Sequence, residues 1–157
     1  SSDDSDVEKS NRDDERGRTV LAKVGKTIQN GNKILVDWHP VRRTPCGFNR
    51  LSFTTYIGVV VRERVCITYI RWKDVPKTIL DELYELIAKG FTIRAERRKW
   101  ILSRACDYWR AFKTRLRKRW LYRMSGKLRK SPPWKYPWID KTVWDKFKEI
   151  CSTEKFK

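Results

Sequence analysis

Between Arg94 and Lys135 the sequence sets sixteen Lys or Arg residues against two acids, Glu96 and Asp107. A solvated helix face ordinarily mixes the signs in pairs three or four residues apart, and this segment lacks the carboxylates to do so. Guanidinium forks match phosphate oxygens, which recur about every 1.7 Å along a duplex axis, and they also fit guanine edges. The chemistry on offer is polyanion recognition. Arg104, Arg110, Lys113, Arg115, Arg117 and Lys118 are expected to contact double-stranded DNA, with Arg119, Arg123, Lys127, Arg129 and Lys130 extending the track. The runs KTRLRKR (113–119) and KLRK (127–130) also fit nuclear import signals, a weak pattern in any basic chain.

Other chemistry is scarce. No G-x-x-x-x-G-K-[ST] phosphate loop, no G-x-S-x-G nucleophile turn and no Cys/His pair at a usable spacing occurs. Two-metal cleavage needs carboxylates converging on one site, but the twelve acids beyond residue 19 fall mostly on predicted helix surfaces, such as Asp81, Glu82 and Glu85. Cys46, Cys66, Cys106 and Cys151 form no C-x-x-C, and His39 is the single imidazole, so no metal site is expected and the thiols should be reduced and partly buried. The reading is a non-enzymatic protein with no cofactor.

Eight tryptophans raise base stacking on single strands or RNA as a further possibility. Trp109, Trp120 and Trp144 occupy helical core positions and read as packing, whereas Trp134, Tyr136 and Trp138 stay open between the two roles. Trp100 lies on the polar side of its helix, so either it packs on a neighbouring element or the helix begins after it.

The whole chain of 157 residues carries +18, from 37 Lys plus Arg against 19 Asp plus Glu. Residues 1–19 hold seven acids and four bases and read as a disordered acidic tail, either a solubilising linker or an arm competing with DNA for the basic face. Residues 20–157 then carry +21 as a single basic, mainly helical domain, with 39% hydrophobic residues in the chain for one core or two small ones. The longest uncharged run, 51–61, falls far short of the roughly 20 apolar residues that span a bilayer, so no membrane association is expected. No basic stretch followed by an apolar run opens the sequence, so secretion is not expected, and the start at Ser1-Ser2 without Met reads as a fragment.

The elements that must position the basic residues follow from periodicity. Residues 27–38, with Asn30-Gly31 and the run Ile34-Leu35-Val36, predict a strand or small hairpin, and 39–47 a loop. Residues 51–61 suit strand by β-branched content and helix by spacing, while 65–72 read as extended. Asp74-Val75-Pro76 starts a helix over about 76–89 with Ile79, Leu80, Leu83, Leu86 and Ile87 on one face and Gly90 as its stop. One long helix is expected over about 96–124. Its stripe Ile101, Leu102, Ala105, Trp109, Phe112, Leu116 and Trp120 faces the core, and its last two turns project as a cationic rod. An ordered aromatic connector (125–139) leads to a final helix at about 140–151, apolar at Val143, Trp144, Phe147 and Ile150.

The ordered motifs ITYIRWKDVP (67–76), LYELI (83–87), K-W-x-L-x(6)-W-R-x-F-K-x-R-L within 98–120 and WDKFKEICSTEKF (144–156) resemble the plant transposase-like family of En/Spm (CACTA-type) elements over roughly residues 25–156. The resemblance implies a transposon-derived nuclear DNA-binding module, with strand-transfer catalysis elsewhere. Where that family is richer in Ser and Leu this chain reads LSFTTYIGVVV, which tilts 51–61 towards helix; SPPWKYPWI replaces the family's spacer before the last helix. The overall expectation is a mainly α domain with a small N-terminal β element that binds duplex DNA. The alternative is a module in which the aromatic connector or an apolar face docks a chromatin or transposase partner.

Overall fold

Helix α1 (Ser2–Gln29) opens the computed structural model, which describes residues 2–122 and 125–153. The disordered tail expected over 1–19 is corrected: from Ser2 onward that segment belongs to α1. A buried stripe explains it, since Asp14, Gly17, Val20 and Val24 recur every three or four residues on one face. Gly17 allows a close approach, because a Cβ there would stand 2.8 Å from Val59 Cγ2. Asn30-Gly31 ends this helix and opens no hairpin. Gly31 takes φ +75, the Gly31 amide donates to the Ile28 carbonyl (2.9 Å) and the Asn32 amide to that of Thr27 (3.0 Å), the double bond of a left-handed glycine cap.

The strands are two residues each. β1 (Ile34–Leu35) pairs in parallel with β4 (Phe91–Thr92), and β2 (Asp37–Trp38) pairs antiparallel with β3 (Pro45–Cys46), so a small hairpin does form, at 37–46. Helix α2 (Arg50–Arg64) resolves the ambiguity of residues 51–61. Phe53, Tyr56, Ile57, Val59, Val60 and Val61 are all buried, and packing on α1 and on the helices Lys77–Gly90 and Arg98–Arg119 overrides β-branched propensity.

Residues 65–71 form no strand; the segment is instead tied to the helix Arg98–Arg119, Trp109 Nε1 donating to Val65 O (3.2 Å) and Lys113 Nζ to Tyr69 O (2.6 Å). The Asp74 carboxylate accepts from the Arg71 amide across a short 3-10 turn, and Pro76 caps α3 (Lys77–Gly90). Leu83, Tyr84 and Ile87 are buried, with Ile79, Leu80 and Leu86 half-buried beside them, as the spacing predicts. Gly90 is the last residue of α3, where a Cβ would stand 2.6 Å from Val24 Cγ1; it permits close packing of α3 on α1.

Helix α4 (Arg98–Arg119) joins two cores. Ile101, Ala105 and Trp109 enter the larger one with α1, α2 and α3, while Phe112 and Leu116 enter the smaller. There they meet Leu121, Tyr136 and Ile139 of the connector and Trp144 and Phe147 of α5 (Lys141–Thr153). The Asp140 carboxylate caps α5 by accepting from the Val143 amide at 2.8 Å. No cationic rod extends from α4. Its last helical residue is Arg119, Leu121 turns into the smaller core, and the Arg129 amide bonds back to the Leu121 carbonyl. Trp100 packs edge-on to Trp38, ring centroids 5.3 Å apart, which accounts for its place on the polar side of the helix.

Candidate nucleic-acid interface

The outward face of α4 is set by the same periodicity that buries the opposite one. Arg110 and Lys118 are exposed on it and pair with no carboxylate among the described residues. Lys127 and Lys130 stand exposed in the following turn, also without an ion pair among the described residues. Arg117 is half-buried and donates to Thr114 Oγ1 at 3.1 Å, and Arg119, also half-buried, lines a shallow groove with Lys118, Thr114 and Lys9 of α1. Arg104 lies 5.1 Å over the Trp100 ring and 3.9 Å from Asp107. Arg129 stacks at 5.3 Å on Trp120 while its carbonyl accepts from Trp144 Nε1, tying the basic turn to α5. Arg123 lies outside the described residues.

Two expected contacts serve the fold. Lys113 is buried, its Nζ bonded to the Tyr69 and Ile70 carbonyls and 4.0 Å from the Trp109 ring centre, so it is removed from the DNA-facing set. Arg115 is three-quarters covered and lies 3.6 Å from Asp14. That carboxylate also pairs with Arg62 (3.2 Å) and Lys135 (3.1 Å). Asp14, the hub, was hidden by the acidic composition of its segment; the signal that reveals it is the Asp14–Gly17–Val20–Val24 stripe.

Among the described residues no disulfide forms; Cys106 and Cys151 are buried, and Cys46 and Cys66 half-buried. Burial pushes the Cys106 thiol up, against the downward pull of nearby Arg110. Among the described residues no helix is long and apolar enough to cross a membrane. Comparison with family models, with characterised proteins and with solved structures gave no match to this chain.

Proposed function

We propose that this protein is a non-enzymatic, nuclear double-stranded DNA-binding module of a transposon-derived protein, with α4 and the turn after it as its contact surface. The observation that carries the reading is the scarcity of acids from Arg94 to Lys135, which leaves Arg110, Lys118, Lys127 and Lys130 exposed without carboxylate partners among the described residues. The resemblance of its motif order to that of the En/Spm-type family is the ground for the transposon-derived part. Phosphate contacts would dominate affinity, with base-edge contacts from Arg110 adding selectivity.

Selection from a random duplex pool at near-physiological salt tests it. The whole chain is the right protein, because α1 is part of the fold. Retention supports the reading, an enriched sequence adds base readout, and no retention refutes it. One observation favours a second reading: Trp134 is 78% exposed on the connector, an aromatic anchor of the kind a chromatin or transposase partner would bury. That partner would be lost on Trp134→Ala and would tolerate salt.

A further inference from the structure

The loop between β2 and β3 is built in advance. His39 and Thr44 close it, the His39 amide donating to the Thr44 carbonyl at 2.8 Å and the Arg43 amide to the His39 carbonyl at 2.8 Å. His39 Nδ1 accepts from the amides of Val41 (3.2 Å) and Arg42 (3.0 Å). With Pro40 contributing no donor, every amide of the tip is satisfied internally, so the loop needs no ligand to hold its shape.

What this loop presents is charge. Arg42 and Arg43 are exposed, and neither pairs with a carboxylate among the described residues. Arg43 holds φ +57, the left-handed region, and is the one non-glycine among the described residues to do so. A bulky side chain kept there at a cost of about 1 kcal/mol or more marks a position where the side chain matters more than backbone ease.

Across a concavity from the tip stands Arg97, its guanidinium 4.8 Å over the Trp38 ring and its buried Nε without a hydrogen-bond partner. Arg42, Arg43, Arg97, Glu96 and Trp100 line this concavity of about 530 Å³. Glu96 is its one acid, and it lies 4.0 Å from Arg94. Three guanidiniums around an open, mainly polar hollow suit a phosphate.

The position of the hollow on α4 supplies the rest. Trp100, in its wall, and Lys118 are eighteen residues apart, five turns, so they share one helix face about 27 Å from one another. A span of that order is a large part of the roughly 34 Å of one duplex turn.

We propose that the β2–β3 hairpin is a second phosphate-binding site, in which Arg42, Arg43 and Arg97 grip the backbone of the same duplex at the Trp100 end of α4, away from Lys118. The proposal rests on the reading that a duplex lies along α4, and the hairpin site can be tested apart from it. The test pairs Arg42→Gln/Arg43→Gly with the whole wild-type chain. Glycine accepts φ +57 freely, so the variant should melt at or above the wild-type temperature. On a 20-base-pair duplex it should bind about tenfold more weakly at 0.1 M salt, with a log K against log salt slope shallower by about 2. In amide-resolved NMR of the wild type, the resonances of residues 41–43 and the Trp38 and Trp100 indoles should move on adding the duplex and on adding inorganic phosphate.

Wild-type affinity and slope in the variant would overturn the hairpin site while leaving the α4 surface intact. Failure of the wild-type chain to bind duplex would refute the α4 reading and the duplex grip together, and phosphate still moving the loop resonances would then leave the hairpin as a phosphate site alone. Resonances that move with an oligoglutamate peptide but with neither phosphate nor duplex would overturn the proposal in favour of a protein-docking loop.

Discussion

Replacing Asp14 by Asn tests whether the acidic half of α1 is docked. One carboxylate, 9% exposed, faces Arg62, Arg115 and Lys135 at 3.2, 3.6 and 3.1 Å, and those cations are only 14%, 25% and 21% exposed. Removing one member of a buried ion pair costs about 3–5 kcal/mol, because the partners left behind stay uncompensated. Here the three cations retain some water, which lowers the expected loss to about 2–4 kcal/mol. At about 2–4 °C per kcal/mol for a chain of this size, the melting temperature should fall by roughly 5–15 °C. Urea unfolding followed by far-ultraviolet circular dichroism reads the loss directly. Asp13→Asn is the control, since Asp13 is 36% exposed and pairs at 3.8 Å with Arg16 on the same exposed helix face; it should stay within about 0.5 kcal/mol of wild type. Equal effects of the two substitutions would refute the hub and, with it, the docking of this part of α1.

Other consequences follow from single side chains. Lys113→Met keeps the aliphatic stem and removes the donors to Tyr69 and Ile70, so it should destabilise by about 1.5–3 kcal/mol in urea titrations, while duplex affinity of the folded protein holds in anisotropy titrations. A thiol reagent should label Cys46 and Cys66 well before Cys106, whose thiol burial holds up; simultaneous labelling in the folded chain would contradict that burial. Hydrogen bonds from Lys141 and then Lys148 hold the Asp145 carboxyl below its ordinary range. Its stabilising contribution is therefore full above the unfolded value of about 3.9 and fades as pH falls through the lower folded value. The urea midpoints of wild type and Asp145→Asn should accordingly differ at pH 6 and converge at low pH, and a gap independent of pH would count against the pairing.

Much of the architecture is legible in local spacing. The stripe from Ile101 to Leu116, the face from Ile79 to Ile87 and the triplet Val143, Trp144 and Phe147 each keep a helical period, and each is buried or half-buried in place. Long-range pairing was not legible. Asp14 reads as tail because its neighbours are acidic, and only the arrival of Arg62, Arg115 and Lys135 from elsewhere in the chain makes it structural. Lys113 reads as one more cation in a basic run until the carbonyls of Tyr69 and Ile70, more than forty residues away, claim its Nζ. The loop 39–47 is recognisable from its prolines, yet the left-handed Arg43 and the Arg97–Trp38 stack follow from hairpin closure.

Salt dependence of duplex affinity tests the central claim most directly, measured for the whole chain and for Arg110→Gln/Lys118→Gln/Lys127→Gln. Contacts with about six phosphates give a wild-type slope near −5, and the triple variant, unchanged in melting temperature, should fall to about −2 to −3. A wild-type slope shallower than about −2, or a triple variant that keeps the wild-type slope, would contradict a phosphate-binding role for the outer face of α4.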